Sequence, residues 1–370
     1  MSRSGQARWL RVLSLLAGSG IALGLGEAGL RVAPPEQLDR IEYPCFYEPD
    51  AALGFHYRPN ASGRVAGHFE IENLAVTNSL GFYDDEPLAP GAADPRILAV
   101  GDSFTAAMNV PRSEVWTAVL DRKLRAAGWP RADVVNLGID GTGTDVHAAL
   151  IERELPRFAP DIVVLAFFGN DFADVLNGRF ERECHRGWVL SYQNESQRRE
   201  LRARVDAHLA RRWQRFLFDH SYLFRLLMQT LEGPRSLHHI QFVQPSAFEL
   251  GIDDAAPQRR APALARALLA LERIAQGCRC RFVVAPVPAR FGLEASAKLF
   301  RERTRAGAFE ILDAAPILQR EIAARGLVVP DLFFVHDAHL NTLGNELFGN
   351  AVFELLTPAL QRPHSTAPPD

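Results

Sequence analysis

Short apolar runs alternate with amphipathic segments through the middle of the chain. Residues 97–100, 134–137 and 162–168 are largely apolar runs of strand length. Residues 115–127 and 146–155 lie between them and carry apolar positions at helical spacing. Strands separated by helices of this length favour a parallel sheet that is covered on both faces. The pattern therefore predicts an α/β fold.

This alternation breaks off and later resumes. Residues 202–232 carry many aromatic and arginine side chains and predict one long amphipathic helical stretch. We interpret residues 175–255 as a helical insertion that packs over or beside the sheet. After it the pattern predicts a strand at 282–287 and three helices, at 261–276, 310–325 and 341–356.

The two ends of the chain have a different character. Residues 34–95 are rich in Pro, Gly and Asn, which predicts an extended arm with short strands such as 65–71. The predicted organisation is an N-terminal segment (1–31), an arm and linker (32–95), an α/β domain (96–361) and a tail (362–370). The tail is too polar to order itself by burial.

The N-terminal segment predicts a membrane anchor. Arg3, Arg8 and Arg11 precede the uncharged run 12–26, which resembles the apolar stretch of a signal peptide. That run is short for a span of about 20 residues, but apolar residues extend it on both sides. The absence of a good A-x-A-like site favours an uncleaved single-pass anchor over a cleaved signal. The arginines place the rest of the chain on the periplasmic or extracytoplasmic side of an inner membrane.

Charge narrows the set of partners. The chain has 370 residues, of which 41 are Lys or Arg and 44 are Asp or Glu, so the net charge is −3. This balance argues against a nucleic-acid-binding surface. Five arginines cluster at helical spacing among apolar residues: Arg202, Arg204, Arg211, Arg212 and Arg215. We interpret them as the solvated face of a helix; the alternative is a binding site for an anionic partner.

The four cysteines are too few for a disulfide scaffold. Cys278 and Cys280 are expected to pack as small apolar groups, and no Cys/His cluster completes a metal-ligand spacing. Cys45 and Cys184 could pair in an oxidising compartment, and the sequence leaves that question open. We expect no metal and no cofactor.

Polar signatures follow the predicted strands. They are the segments 101–105 (GDSFT), 136–141 (NLGIDG) and 169–171 (GND), with 337–341 (DAHLN) opening the last helix. In an open parallel sheet, ligands bind beyond the carboxyl ends of the strands. A serine at such a strand-to-helix junction can be exposed and activated by an imidazole. Taken alone, however, the GDS segment could equally be a helix N-cap.

Together these four segments resemble the blocks of the GDSL/SGNH hydrolase family, in the family's order and spacing. The resemblance covers residues 96–357, and the TNSLGFYD run at 77–84 is similar to the lead-in of membrane-anchored bacterial members. It implies a three-layer α/β/α, flavodoxin-like fold. It also implies a serine esterase mechanism that passes through an acyl-enzyme.

The resemblance assigns a role to each of five residues. Ser103 is the expected nucleophile, His339 its base and Asp337 the carboxylate that fixes the histidine tautomer. The backbone N–H of Gly141 and the side-chain amide of Asn170 are the expected oxyanion donors.

Two of these assignments required a choice. Gly141 is preferred to Gly138 because the family places this glycine five residues after the strand-end asparagine. The commoner family spacing is D-x-x-H, but here the sequence is D-x-H and His336 stands where that aspartate would be. Asp331, on the same loop, is the reserve for Asp337.

The expected substrate is an ester, and an extracytoplasmic anchored enzyme of this type suggests O-acetyl groups of a carbohydrate. The alternatives are an O-acetyltransferase with partner proteins in a cell-envelope assembly, or a degenerate glycan-binding scaffold. The absence of G-x-S-x-G around Ser103 argues against the α/β-hydrolase elbow. The G-I-D-G-T-G run lacks the dinucleotide-binding spacing.

Overall fold

The computed structural model describes residues 3–35, 38–67, 69–232, 237, 242–243 and 256–361. Its helices, in chain order, are α1 (Arg3–Val32), α2 (Ser103–Ala106), α3 (Trp116–Ala126), α4 (Thr144–Phe158), α5 (Asn170–Asn177), α6 (Glu195–Ala210), α7 (Arg212–His220), α8 (Tyr222–Glu232), α9 (Ala256–Gly277), α10 (Ala295–Arg303), α11 (Ala315–Arg325) and α12 (Thr342–Leu360). Its strands are β1 (Tyr47–Asp50), β2 (Gly54–Tyr57), β3 (Ser62–Gly67), β4 (Ile71–Val76), β5 (Arg96–Gly101), β6 (Asp133–Gly138), β7 (Ile162–Phe167), β8 (Glu181–His185), β9 (Trp188–Tyr192), β10 (Phe242–Val243), β11 (Arg281–Pro286) and β12 (Glu310–Ile311).

Five parallel strands form the central sheet of the described chain, in the order β12-β11-β7-β5-β6. Numbered by their occurrence within this sheet, the strands run 2-1-3-4-5, which is the flavodoxin-like doubly wound order. Every residue of β5, β6 and β7 is buried, as expected for strands covered on both faces. The predicted α/β fold with a parallel sheet is confirmed.

Helices cover the two faces of this sheet. On one side α3 packs against α12, which also contacts α11. On the other side α4 and α5 pack against α9. The three layers bury one continuous core, so the carboxyl edge of the sheet is left as the open face.

The predicted helix at 310–325 is wrong in its first part. Residues Glu310–Ile311 form β12, the edge strand beside β11, and α11 begins only at Ala315. A two-residue edge strand is too short to produce a periodic signal in the sequence.

The arm contains two antiparallel hairpins. β1 pairs with β2, and β3 pairs with β4. The expected strand at 65–71 is therefore wrong in its bounds, because the chain reverses between Gly67 and Ile71. Its apolar residues belong to two strands that face each other.

The insertion is not one long helix. β8 and β9 form an antiparallel hairpin, β10 pairs with β9, and the helical stretch is divided into α6, α7 and α8. The breaks fall at Arg211 and Ser221, whose backbones leave the helical conformation. Residues 233–236, 238–241 and 244–255 of the predicted insertion, and the whole tail 362–370, lie outside the described residues.

All four cysteines are paired. Cys45, just before β1, is bonded to Cys184 of β8, with their Cα atoms 5.2 Å apart. Cys278 is bonded to Cys280. The expectation that Cys278 and Cys280 pack as separate apolar groups is therefore wrong; they lie in the turn between α9 and β11, where the chain doubles back sharply enough for them to meet.

One helix of the described chain, α1, is long and apolar enough to cross a membrane, by length and composition, over Trp9–Val32. None of this window is buried against the rest of the described protein. The C-terminal end of α1 touches the folded domain at α8, and Arg31 donates to the His220 carbonyl at the end of α7.

Candidate active site

Ser103 is the first residue of α2, directly after β5. Asp102 caps this short helix, since its Oδ1 accepts a hydrogen bond from the Phe104 N–H at 2.9 Å. Burial raises the pKa of Asp102, and the Phe104 N–H opposes that rise. The cap fixes the strand-to-helix turn and holds the serine at the carboxyl edge of the sheet.

Ser103, His339 and Asp337 form one hydrogen-bonded line. Ser103 Oγ lies 2.8 Å from His339 Nε2, and Asp337 Oδ1 lies 2.5 Å from His339 Nδ1. The same carboxylate oxygen accepts the backbone N–H of His339 at 2.8 Å. A proton on Nδ1 leaves Nε2 as an acceptor that faces the serine hydroxyl.

The charge state of His339 depends on two opposed effects. Burial lowers its pKa, but the hydrogen bond and negative charge of Asp337 outweigh burial, so the pKa is raised above its ordinary value. The protonated ring that forms when His339 takes a proton is thus stabilised.

The loop that carries His339 is held from two sides. Asn341 donates to the carbonyl oxygens of Asp331 and Phe333 at 2.9 Å each. Asp331 itself accepts from the Val328 N–H at 2.8 Å, so its carboxylate caps its own turn and is not the group that contacts the histidine. The Glu70 carboxylate, in the arm, accepts two further backbone N–H groups of the loop.

The two candidate glycines after β6 have different surroundings. Gly141 has a left-handed φ of +64° and lines the cavity that also contains Ser103 and His339. A Cβ at Gly138 would overlap the backbone of Ala106, so that glycine is required for packing α2 onto β6.

The side chain of Asn170 is hydrogen-bonded to a residue outside the cavity. Asn170 begins α5, and its amide Nδ2 donates to Asp174 Oδ2 at 3.3 Å. Among the described residues that line the cavity, Asn170 does not occur. The structure thus brings four of the five expected residues together, and the oxyanion role of Asn170 stays a prediction.

The cavity has a volume of about 230 Å³. Its floor is made by the strand-end loops and the histidine loop. Much of its remaining wall comes from the arm, and the insertion contributes Arg182 and Phe242. The rings of Tyr43 and Phe242 meet across this wall with centroids 5.2 Å apart.

A buried polar network lies beside Gly141. Arg182 Nη1 donates to Asp140 Oδ2 at 2.8 Å and to the Asp140 carbonyl at 3.0 Å. Tyr57 both donates to the Asp140 carboxylate and accepts the Asp140 backbone N–H at 2.7 Å, and Tyr47 adds two contacts at 3.1 Å. Burial, and then the charge of Asp140, raises the pKa of both tyrosines well above their ordinary values, so they remain donors.

The guanidinium of Arg182 also lies over aromatic rings, closest to Phe55 at 4.3 Å. The Cys45–Cys184 disulfide joins the two segments that supply Tyr47 and Arg182. The loop that contains Asp140 and Gly141 is therefore held by residues from the arm and the insertion, far from it in the sequence.

Sequence reasoning did not identify Asp140, Arg182, Tyr47 or Tyr57. One signal was present: Tyr47 is two residues after Cys45, and Arg182 two residues before Cys184. A disulfide between those cysteines brings both side chains to one place, because residues two apart in a strand share a face.

Within the described parts of the chain, no group of three or more His, Cys, Asp or Glu side chains is arranged to hold a metal ion. The chemistry available at the cavity is that of a serine, an imidazole and a carboxylate in line.

A doubly wound sheet with a serine, histidine and aspartate aligned at its carboxyl edge is an arrangement that serine hydrolases use. The chain belongs to the GDSL-like Lipase/Acylhydrolase family, whose model matches residues 99–347. It is 34% identical over 84 residues to Esterase TesA of Pseudomonas aeruginosa. That match covers 23% of this chain and 41% of the relative.

Solved structures with a similar backbone include the esterase EstA from Pseudoalteromonas, at 14% sequence identity and a TM-score of 0.37; the match covers 73% of this chain and 100% of that one. A G-D-S-L family protein from Veillonella parvula (13% identity, 71% of this chain and 99% of that one, TM-score 0.35) and the lipase/acylhydrolase from Enterococcus faecalis (16%, 74% and 100%, 0.32) are also similar. The fold is assigned from the strand order of the central sheet.

Proposed function

We propose that the protein is a serine esterase that removes short acyl groups, with O-acetyl groups of an extracytoplasmic carbohydrate as its substrates. The observation that carries the proposal is the hydrogen-bonded line of Ser103, His339 and Asp337. No metal or organic cofactor takes part in the proposed mechanism.

In the first half-reaction Ser103 Oγ attacks the ester carbonyl carbon while His339 Nε2 takes the hydroxyl proton. The carbon–oxygen bond to the alcohol then breaks, and His339 returns the proton to the leaving alcohol. A water molecule attacks the resulting acyl-enzyme in the same manner, giving the carboxylic acid and free Ser103. Asp337 stabilises the imidazolium during both steps.

The negative charge that develops on the carbonyl oxygen needs donors. We assign this role to the backbone N–H of Gly141 and to the side-chain amide of Asn170. The position of Gly141 on the cavity wall supports its assignment. For Asn170 the role requires its amide to exchange its contact with Asp174 for the oxyanion when substrate binds.

Size and lining favour a short acyl group on a sugar. A cavity of about 230 Å³ is smaller than the roughly 300–1,000 Å³ of most drug-sized ligand pockets, so a long acyl chain does not fit well. The aromatic rings of Tyr43 and Phe242 offer faces on which a sugar ring can stack.

We further propose that α1 remains attached and anchors the chain in the inner membrane, with the catalytic domain outside the cytoplasm. Arg3 and Arg8 precede the apolar window Trp9–Val32 and Arg11 lies in its first turn, so the positive charge is at the end that the positive-inside rule keeps in the cytoplasm. The two disulfides support an oxidising compartment. Glu27 accepts two hydrogen bonds from the first residues of α8 and one from the hydroxyl of Ser221, which precedes α8; these contacts support retention of the helix after export.

The test is active-site labelling of the full chain with a fluorophosphonate probe. The expected result is one label on Ser103, with no labelling of Ser103→Ala. Ser62→Ala, at an exposed position on β3, is the control and should label normally. Failure of the folded protein to label at Ser103 would contradict the esterase proposal.

Product analysis then resolves the acyl acceptor. Incubation with acetylated oligosaccharides should release free acetate in step with deacetylated sugar. Acetylated acceptor without matching acetate would instead identify the O-acetyltransferase alternative. A preference for p-nitrophenyl octanoate over the acetate would contradict the short-acyl assignment.

A further inference from the structure

The outer surface of α7 and α8 is unusually apolar. Trp213 and Phe216 of α7 are 63% and 61% exposed, and Leu227 and Leu231 of α8 are 52% and 70% exposed. Single exposed apolar residues are ordinary on a protein surface, but a contiguous group of large ones marks an interaction site. We refer to these four side chains, together with Leu217, as the α7–α8 patch.

Helical spacing puts the patch on one side of the molecule. In α7 the residues at 213, 216 and 217 have i, i+3 and i+4 spacing, and in α8 the residues at 223, 227 and 231 follow at i+4 steps. The ring of Trp213 lies 6.5 Å from the ring of Phe224, so the start of α7 and the start of α8 adjoin.

The α8 stripe begins against the apolar helix α1. The nearest side-chain carbon of Leu223 lies 3.5 Å from the point that a Cβ atom on Gly26 would occupy, so Leu223 packs directly on this glycine. The other glycines of the α1 span have no atom within that reach. Leu227 and Leu231 continue the same stripe at the next two i+4 positions of α8, and both are exposed.

This junction is fixed by polar contacts. The Glu27 carboxylate accepts the N–H groups of Tyr222 and Leu223 at 2.9 and 3.0 Å, and the Ser221 hydroxyl at 2.9 Å. Arg31 Nη2 donates to the His220 carbonyl at 2.6 Å. These bonds satisfy backbone groups at the end of α7 and the start of α8, so both helices have a set orientation to α1.

The charge of α7 and α8 indicates which kind of partner the α7–α8 patch binds. Residues 211–232 contain four arginines and two acidic residues, Asp219 and Glu232. Arg211 and Arg212 are exposed, and Arg215 meets Asp219 only at 3.9 Å. Basic side chains beside exposed Trp, Phe and Leu are typical of helices that lie in the headgroup region of an anionic bilayer.

We propose that the α7–α8 patch lies in the headgroup–acyl boundary of the bilayer that α1 spans. The patch would then form a second contact with the membrane and fix the height and tilt of the catalytic domain. The occupant is lipid, because the α8 stripe begins with Leu223 against the apolar helix α1 and exposed arginines adjoin the patch. This inference rests on the proposed anchoring by α1 and goes beyond the esterase activity.

The test measures how deeply single positions lie in lipid. The full chain, with one cysteine introduced as Phe216→Cys or Leu227→Cys, is labelled with a small fluorophore, since all four native cysteines are in disulfides. Each variant is reconstituted into vesicles of phosphatidylethanolamine and phosphatidylglycerol that contain a nitroxide on the acyl chain. Leu269→Cys is the matched control, because Leu269 is a leucine on α9 that is 57% exposed.

Labels at 216 and 227 should be quenched at least about threefold more than the label at 269. Equal quenching at the three positions, in protein that floats with the vesicles, overturns the inference while leaving anchoring intact. Labels at 216 and 227 that are shielded from aqueous iodide but not quenched by lipid indicate a protein partner, and also overturn it. Protein that does not float refutes anchoring by α1, and the inference with it, whereas the fluorophosphonate test of esterase activity stands apart.

A charge variant completes the test. Leu227→Glu with Leu231→Glu should reduce the quenching at 216 to the level of the control, with ester hydrolysis in detergent unchanged. Quenching at 216 that is insensitive to these two carboxylates would show that the α7–α8 patch does not enter the bilayer as a unit.

Discussion

The two walls of the cavity are built in different ways. One wall holds Ser103 at the start of α2, with Asp337 and His339 in the loop before α12, at the carboxyl edge of the parallel sheet. The other wall holds Asp140 in a network with Arg182, Tyr47 and Tyr57, which come from the insertion and the arm.

We infer that the two walls have different roles, one in the reaction and the other in positioning a loop. In the proposed mechanism the first wall supplies the groups that exchange protons and form the acyl-enzyme. The second wall fixes the loop that carries Gly141, through a buried ion pair that is costly to break. We therefore expect changes in the first wall to abolish turnover, and changes in the second to reduce it while altering stability.

The largest effect is expected at the nucleophile. Ser103→Ala should lower kcat with p-nitrophenyl acetate by about 10⁴–10⁶-fold, because the covalent step is lost. The thermal midpoint should barely change, since the hydroxyl contributes on the order of 1 kcal/mol at a helix start. Residual activity above a few per cent of the parent value would remove Ser103 from the mechanism.

The next effect is expected at Asp337. Asp337→Asn should reduce kcat/KM by about 10³–10⁴-fold, because the asparagine no longer fixes the productive tautomer of His339. Asp331→Asn is the matched control and should stay within about threefold of the parent, because Asp331 caps its own turn. A larger loss for the Asp331 variant would reverse the assignment.

The pH profile sharpens this prediction. Neutral His339 is the form that accepts a proton, so kcat/KM should rise with pH through the histidine pKa. Asp337 raises that pKa, so the acid limb of the parent should lie above the ordinary value of about 6.5. In Asp337→Asn the limb should move to lower pH; an unchanged limb would exclude Asp337 as the cause.

A moderate effect is expected in the second wall. Tyr57→Phe leaves the backbone N–H of Asp140 without its acceptor, which costs roughly 1–3 kcal/mol of stability. The displaced loop should lower kcat about tenfold, the equivalent of about 1.4 kcal/mol, with a smaller change in KM. Tyr192→Phe, on β9 away from the cavity, is the control; an equal loss there would indicate general destabilisation.

The smallest effect on turnover is expected from the disulfides. Cys45→Ser with Cys184→Ser should lower the free energy of unfolding by about 2–4 kcal/mol, because the bond closes a loop with a sequence separation of 139. Turnover should fall only a few-fold. Cys278→Ser with Cys280→Ser, which spans a separation of 2, should change both quantities less. If the two double variants behave alike in denaturant unfolding and in kcat, the Cys45–Cys184 bond does not position the second wall.

The two walls of the cavity also differ in how well the sequence predicts them. The segments 101–105 and 337–341 are each continuous in the chain, and their residue types are tied to strand ends, so their convergence could be predicted. The D-x-H spacing left the choice between Asp337 and Asp331 open, and only the contact at 2.5 Å separates them geometrically.

Other features had no comparable signal. The two-residue strand β12, the reversal between β3 and β4, and the breaks between α6, α7 and α8 all depend on short turns. Periodicity averages over longer windows and merges such elements. Asn170 illustrates a further difficulty, because a loop asparagine has several polar neighbours and the sequence does not say which it bonds to.

The sequence alone determined the parallel α/β sheet, the family of the chain and the N-terminal apolar helix, because each is encoded by local periodicity or by short motifs. Tertiary structure decided how the arm and the insertion close the cavity, which cysteines pair, and that α8 begins against α1. Apart from the Cys278–Cys280 bond, these contacts join residues more than a hundred positions apart, such as Tyr47 with Arg182 and Glu27 with Ser221. Such pairs leave no periodic trace in a single sequence, since they are selected by packing in three dimensions.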